Sequence, residues 1–158
     1  MKPAVMKIGE MVEQSGLTER MLRHYEDLGI IVPLRSEKGT RHYSSVDLEV
    51  ARLIQHFREV DIPLDSIASI AKERRVHTTG DGSSQSIGAM LCELADHLAD
   101  KAEKSLAMHR LVVDATRTVR ECGGCTNRPG PETCPDCPMN EASKKNSVAA
   151  MIWQKGHS

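Results

Sequence analysis

Aromatic residues are scarce in this chain, which has one Trp, two Tyr and one Phe among 158 residues. A buried core must therefore be built mainly from Leu, Ile, Val, Met and Ala, which favours helices over a β-rich fold. The sequence also lacks a bilayer-spanning apolar run and a signal peptide, so we expect a cytoplasmic protein with reduced thiols and no membrane partner. Its formal net charge of −1 gives no overall signal of nucleic-acid binding.

Cysteines, by contrast, are clustered. Four of the five form two Cys-x-x-Cys pairs, Cys122 with Cys125 and Cys134 with Cys137. Each pair points two sulfurs at one spot, and two pairs supply four thiolates, so we expect a zinc site, with an iron–sulfur cluster as the alternative. Free thiols or a disulfide pair are a third reading. The separate Cys92 is either a small packed residue, or a trans ligand or regulatory thiol.

A helix-turn-helix pattern opens the chain. A short helix is predicted over residues 7–14, a tight turn at Ser15-Gly16-Leu17, and a second helix over residues 19–27 with Thr18 as its N-cap. In this pattern Arg20, Arg23 and His24 lie on or near the face that a DNA groove would receive.

A small hairpin, or wing, is predicted next. Its polar turn spans residues 36–40 and its return strand residues 41–43, which puts Lys38 and Arg41 near the tip. Two further helices are expected, from Ser44 to about Val60 and over residues 65–73. Residues 20–43 carry five basic and three acidic side chains. That excess suits phosphate contact but also an ordinary solvated surface, so charge alone does not decide.

Six short motifs are more specific in combination. They are Lys7-Ile8-Gly9-Glu10, Ser15-Gly16-Leu17-Thr18, Leu22-Arg23-His24-Tyr25-Glu26, Gly29-Ile30, Gly39-Thr40-Arg41-His42-Tyr43 and Ile62-Pro63-Leu64-Asp65-Ser66-Ile67. Together they resemble the MerR family of transcription regulators. The resemblance is close over residues 5–72, although His24 and Thr40 stand where family members usually carry aromatic residues.

The resemblance implies a winged helix-turn-helix that binds double-stranded promoter DNA. It implies contacts from Arg23 and Tyr25 on the recognition helix, from Lys38, Arg41 and Tyr43 on the wing, and a phosphate contact from Arg58. The full set of expected DNA-binding residues is Thr18, Arg20, Arg23, His24, Tyr25, Lys38, Arg41, Tyr43 and Arg58.

A long helix is predicted over residues 87–121, after a polar linker at residues 76–86. Its heptad positions are Leu91, Leu98, Ser105, Val112 and Val119, alternating with Leu94, Lys101, Met108 and Ala115. This spacing predicts a homodimeric coiled coil in preference to packing on the chain's own N-terminal domain. The family resemblance implies that the two helices run antiparallel.

The expected protein is thus mainly α, with five segments. They are a winged helix-turn-helix domain (1–75), a linker (76–86), a dimerisation helix (87–121), a four-cysteine metal-binding segment (122–140) and a tail (141–158) that is disordered or forms a short helix docking Trp153. The cysteine segment partly resembles the superoxide-type redox regulators of the family, in its Cys-Gly-Gly-Cys opening and in Cys137-Pro138-Met139-Asn140 at its close. This resemblance implies that an iron–sulfur site here would be a [2Fe–2S] cluster.

The function implied is that of a non-enzymatic regulator, which distorts a pseudo-palindromic promoter in response to a metal or redox signal so that RNA polymerase can engage. Two alternatives from other classes remain at this point. One is a zinc-stabilised interaction protein, and the other is a thiol redox protein that uses Cys-x-x-Cys.

Overall fold

The structure is a computed structural model, and it describes residues 5–132 and 137–153. The chain divides into two compact units, residues 1–98 and residues 99–158, and the division falls inside one long helix. Most of the described residues are helical, which confirms the expected fold class. In the described part of the chain, no helix has both the length and the apolar character needed to cross a bilayer.

The first unit is a winged helix-turn-helix domain. Its elements are β1 (Val5–Met6), α1 (Ile8–Ser15), α2 (Glu19–Asp27), β2 (Leu34–Arg35), β3 (Arg41–Ser44), α3 (Ser45–Glu59), α4 (Leu64–Glu73) and the start of α5 (Gly80–Arg120). The strands form an antiparallel sheet in the order β1-β3-β2, with Met6 opposite Tyr43 and Leu34 opposite His42. The two-residue β1 was not predicted, because so short a strand shows no alternation in sequence.

Local capping explains why these helices begin where they do. The Thr18 hydroxyl accepts a hydrogen bond from the Met21 amide at 3.2 Å, so α2 starts at the predicted residue. Ser44 and Asp47 form the predicted capping box of α3, with their reciprocal bonds at 3.2 and 2.7 Å.

A single core closes the first unit. Its buried members are Met11, Leu17, Leu22, Tyr25, Ile31, Tyr43, Leu48, Ala51, Ile54, Ile62 and Ile67. Leu94 and Leu98 of α5 are half-buried against this core. These two heptad positions are therefore already partly used by the chain's own N-terminal domain, where the sequence favoured a partner helix.

The long helix begins seven residues earlier than expected, at Gly80 rather than residue 87, so most of the predicted linker 76–86 is helical. Hydrogen bonds supply the reason: the Thr79 hydroxyl accepts from the Gly82 amide at 3.2 Å and caps the new helix end. Glu73 at the end of α4 accepts from the Ser86 hydroxyl and from His77 Nε2. Polar residues that suggested a flexible linker thus secure the corner between α4 and α5.

The second unit is a small helical lobe. Helices α6 (Pro138–Lys145) and α7 (Ser147–Ile152) follow the cysteine segment, and α6 begins before the predicted boundary at residue 140. Ala115, Met139 and Ala149 form its buried core. Asn146 caps α7 and donates to the Leu111 carbonyl at 2.8 Å, while Trp153 Nε1 donates to Asn140 Oδ1 at 2.6 Å. As far as Trp153, where the described part of the tail ends, the docked short helix is the one of the two alternatives that is observed.

Candidate nucleic-acid interface and cysteine segment

The turn between α1 and α2 is held by the neighbouring helix. Gly16 adopts φ +72°, a left-handed conformation that favours glycine. Two α3 side chains bond the last carbonyls of α1, with Gln55 Nε2 at 2.9 Å from the Ser15 oxygen and Arg52 Nη2 at 3.1 Å from the Gln14 oxygen. These bonds satisfy carbonyl groups that a helix end leaves unpaired, and they fix how α2 leaves the turn.

One face of α2 is buried and the opposite face is open. Leu22 and Tyr25 point into the core, while Arg20, Arg23 and His24 are exposed. The last three line an open surface depression together with Glu19, Met21 and Asp27. Arg23 pairs with Glu19 at 3.1 Å, but both side chains are largely exposed. Such a pair is weak in water, so Arg23 is available to an anionic ligand.

The wing tip is a tight, well-bonded turn. The Ser36 amide donates to the Thr40 carbonyl at 2.9 Å, and the Ser36 hydroxyl accepts from the Thr40 amide at 3.1 Å. Gly39 takes φ +78°, which the sharp reversal requires. Lys38 is thereby presented on an exposed turn.

Glu26 connects α2 with the returning strand of the wing. Its Oε2 lies 2.7 Å from Arg41 Nε, and its Oε1 accepts a hydrogen bond from the Tyr43 hydroxyl. The hydrogen bond to Glu26 and the charge of that carboxylate raise the pKa of Arg41. Burial, with the hydrogen bond to Glu26, raises the pKa of Tyr43 well above its usual range. Both partners therefore keep the protons that this cluster needs.

Three of the four clustered cysteines lie among the described residues, and Cys134 lies outside them. The Cys125 amide donates to the Cys122 carbonyl at 3.0 Å, and Gly124 takes φ +80°, so the first pair forms a compact turn after α5. Cys122 and Cys137 both pack against the core of the second unit, whereas Cys125 is exposed. Within the described residues no group of three or more potential ligands is assembled for a metal ion.

An apolar stripe is left uncovered along α5 in the single chain. Leu91, Met108, Val112 and Val119 are exposed heptad positions. Ala115, which the sequence assigns to the same seam, is instead covered by Met139 and Ala149. The chain's own α6 and α7 therefore replace a partner helix at that one position. Cys92 is exposed near the start of α5.

Comparison with known proteins agrees with this geometry. Residues 6–74 match the family model described as MerR HTH family regulatory protein. Residues 6–74 form a domain of the MerR HTH family. This MerR-family domain runs from β1 to the end of α4.

Two curated relatives and one solved structure illustrate the likeness. The HTH-type transcriptional activator TipA of Streptomyces coelicolor is 39% identical over 75 residues, which are 44% of this chain and 30% of TipA. Heavy metal-dependent transcription regulator 2 of Rhizobium meliloti is 26% identical over 144 residues, covering 90% of this chain and 89% of that protein. HiNmlR, a MerR family regulator that lacks the sensor domain and was solved bound to promoter DNA, superposes with TM-score 0.54 at 20% identity, over 70% of this chain and 80% of that one. That superposition shows a common fold.

Two residues expected to contact DNA, Tyr25 and Tyr43, are buried in this MerR-family domain. Tyr25 is 1% exposed and Tyr43 is fully buried, so neither ring has a surface to offer DNA. With so few aromatic residues in the chain, these two rings fill the core instead. Tyr25 Oη is buried without a hydrogen-bond partner among the described residues, and Tyr43 Oη donates a hydrogen bond to Glu26.

The other predicted DNA-binding residues are of two kinds: some have exposed side chains, and others already bond to a neighbouring residue. Arg20, Arg23, His24, Lys38 and Arg58 are exposed, and their contact with DNA stays a prediction. The Thr18 hydroxyl is exposed but already caps α2, and Arg41 is engaged by Glu26.

Sequence reasoning overlooked Glu26. The available signal was strand alternation, because residues 41 and 43 share one face of β3 and so present a guanidinium and a hydroxyl together.

Proposed function

We propose that this protein is a homodimeric regulator that binds a pseudo-palindromic promoter element. It controls RNA polymerase by distorting that DNA, in response to a metal or redox signal received at its cysteine segment. The observation that carries the proposal is the exposed basic face of α2 beside an exposed wing, within the MerR-matched residues 6–74.

The DNA-binding part rests on the exposed side chains. A major groove admits one α-helix, and arginine on such a helix can bond guanine O6 and N7 or a phosphate. Arg20, Arg23 and His24 supply donors on α2, and Lys38 adds a cation on the wing turn. Arg58 supplies a further exposed cation in the last turn of α3. Phosphate contacts of this kind set the register of the helix, while base-edge contacts from α2 provide specificity.

The dimeric part rests on the exposed stripe of α5. A helix of 41 residues is roughly 60 Å long. Its exposed Met108, Val112 and Val119 can be buried only against another molecule. The same stripe on a second copy of the chain would pack against them in a two-fold interface. Because Leu94 and Leu98 are already half-buried, the seam is expected to centre on residues 105–119. A two-fold dimer would then read two inverted half-sites.

The sensory part rests on thiol chemistry. Cys122, Cys125 and Cys137 would hold a metal together with Cys134. The compact turn at Gly124 fits such a role, as does the packing of Cys122 and Cys137 against the same small core. A relative whose length this chain covers to 89% is named heavy metal-dependent, which supports a metal. Zinc is proposed first and a [2Fe–2S] cluster second. Zinc would close the segment as a structural tetrahedron, and a cluster would add a one-electron redox change.

Gel-shift titration tests the DNA-binding proposal. Duplex promoter fragments from the source genome are titrated with wild-type protein, Arg23→Ala and Arg110→Ala. Arg23→Ala is expected to weaken binding by about 1–3 kcal/mol. Arg110→Ala removes the same charge from an exposed position of α5 that lies off the heptad stripe, and it serves as the matched control. If the wild-type protein shifts no fragment, the DNA-binding proposal is lost and a zinc-stabilised interaction protein becomes the better account.

Anaerobic purification with metal analysis tests the sensory proposal. Visible charge-transfer bands would identify an iron–sulfur cluster, whereas a colourless protein with one zinc per chain would identify zinc. Cys125→Ser is expected to lose most of the metal and Cys92→Ser to retain it. Metal loss in Cys92→Ser would instead make Cys92 a ligand. Full titration of all five thiols in the purified wild-type protein would refute a metal site.

A further inference from the structure

Glu26 lies where the two DNA-facing elements meet. It sits on α2 one helical turn after Arg23, and it is 15 and 17 residues before its partners Arg41 and Tyr43. Arg41 in turn is the first residue of β3, three residues after Lys38 on the wing turn. The Glu26 bridge therefore joins the segment that carries Arg23 to the segment that carries Lys38.

The bridge occupies both carboxylate oxygens of Glu26. Arg41 Nε donates to Oε2 at 2.7 Å and the Tyr43 hydroxyl donates to Oε1, so Glu26 binds two side chains on one face of the strand. Only 10% of the Glu26 side chain is exposed, against 34% for Arg41. A carboxylate so far removed from water is stable only while it remains paired, and charge-assisted bonds are the stronger class. Two bonds to one carboxylate also fix an angle that one bond would leave free.

We propose that Glu26 is a positioning residue for DNA binding, which sets the wing at a fixed place beside α2 through Arg41 and Tyr43. This inference rests on the proposed function. Glu26 touches no DNA in this role. Arg41, which the family resemblance assigned to DNA contact, is instead held by Glu26 in this role, and phosphate contact from the wing is left to Lys38.

Charge removal gives opposite results under the two readings of Glu26. If Glu26 were only an acidic side chain near DNA, Glu26→Gln would remove repulsion from phosphate and tighten binding. If Glu26 positions the wing, Glu26→Gln weakens binding, by about tenfold for the loss of one charge-assisted bridge. Glu37→Gln is the matched control, since Glu37 is exposed on the wing turn and its removal should leave binding unchanged or slightly tighter.

Salt dependence separates a clamp from a phosphate contact at Arg41. Each phosphate contact contributes about 0.9 to the slope of log K against log salt concentration. Lys38→Ala is expected to lower that slope by about one contact. Arg41→Ala is expected to weaken binding while the slope stays as in wild type. Combining Arg41→Ala with Glu26→Gln should cost little more than either change alone, because both break the same bridge.

These titrations use a DNA duplex that wild-type protein selects from a randomised pool, and circular dichroism verifies that each variant is folded. Tyr43→Phe is the mild variant, because it removes one bond to Glu26 and keeps the ring in the core. Its affinity loss is expected to be a few-fold. Binding by Glu26→Gln as tight as by Glu37→Gln, or a slope loss in Arg41→Ala equal to that in Lys38→Ala, would overturn the positioning role.

Hydrogen exchange in the absence of DNA completes the test. In Glu26→Gln the amides of residues 34–43 should exchange faster than in wild type, while those in Glu37→Gln should not. If wild-type protein selects no duplex, the proposed function fails, and this measurement still decides whether Glu26 holds the wing. Unchanged exchange in Glu26→Gln would refute that hold.

Discussion

Replacing Val112 with Asp is expected to dissociate the proposed dimer, whereas the same change at its neighbour Val113 is expected to leave it associated. The two residues form a natural pair for this comparison, since 46% of Val112 and 49% of Val113 is exposed in the single chain. Only Val112 falls on the heptad stripe. Consecutive residues point about 100° apart around a helix, so a partner that covers Val112 need not cover Val113.

The expected size of the effect follows from the exposed area. Burying a whole Val, Leu or Met side chain stabilises by about 1.5–3 kcal/mol. About half of Val112 remains to be buried, so each chain stands to gain roughly 1 kcal/mol there. A two-fold dimer counts this twice, and the loss of roughly 2 kcal/mol raises the dimer Kd about 30-fold. Removing the Asp charge from water adds to that figure.

Sedimentation velocity over a dilution series measures the dimer Kd of each variant. Val and Asp have similar helix propensities, so far-UV circular dichroism should be alike in both variants. Equal dissociation by the two substitutions would show that the heptad stripe is not the seam. A Val112→Asp protein that remains dimeric at every concentration would place the interface elsewhere on the molecule.

Three further predictions concern single side chains. Tyr25→Phe removes a buried hydroxyl that has no partner among the described residues, so urea denaturation should show unchanged or higher stability, by up to about 1 kcal/mol, with unchanged DNA affinity. A clear loss of DNA affinity would restore Tyr25 as a contact. Asn146→Ala removes the α7 cap and the bond to the Leu111 carbonyl, and should lower the free energy of unfolding of the second unit by about 1–2 kcal/mol. Trp153 fluorescence during urea denaturation measures this change. An unchanged Trp153 unfolding midpoint would contradict that cap. Hydrogen bonds from Ser86 and His77 lower the pKa of Glu73, so its stabilising effect is present above the unfolded pKa and is lost as pH falls through the folded pKa. Glu73→Gln should therefore lower the thermal midpoint near neutral pH and reduce its acid dependence below pH 4.5, and parallel melting curves for both proteins would contradict this.

The start of α2 and the capping box of α3 could be read from sequence because their causes are local. The Thr18 hydroxyl bonds an amide three residues away, and Asp47 lies three residues from Ser44. Such short-range pairs are visible in the sequence itself. The wing was equally readable, since Gly39 marks its sharp turn.

What could not be read depends on contacts between distant residues. Glu26 and Tyr43 are 17 residues apart, and neither one's sequence neighbourhood reveals the other. At the start of α5 the cap from Thr79 is local, but the bond from Ser86 to Glu73, 13 residues earlier, is not, and it holds the corner between α4 and α5. The two tyrosines were assigned to DNA through family resemblance, although a chain with one Phe and one Trp has few other rings for its core. Weighing that scarcity would have predicted the burial of both.

The proposed dimer seam and the cysteine segment both adjoin the buried cluster around Ala115 of α5. Ala115 lies three residues after Val112 and four before Val119, so all three are on one side of the helix. Ala115 is covered by Met139 and Ala149, while Val112 and Val119 stay exposed, which places α6 and α7 at the edge of the proposed seam. Cys122 and Cys137 pack against that same cluster. Under the proposed function, a metal that drew these thiolates together would shift α6 and α7 against the seam. The signal would then reach the dimer contact through a single layer of side chains, with no need for a relay along the length of the helix.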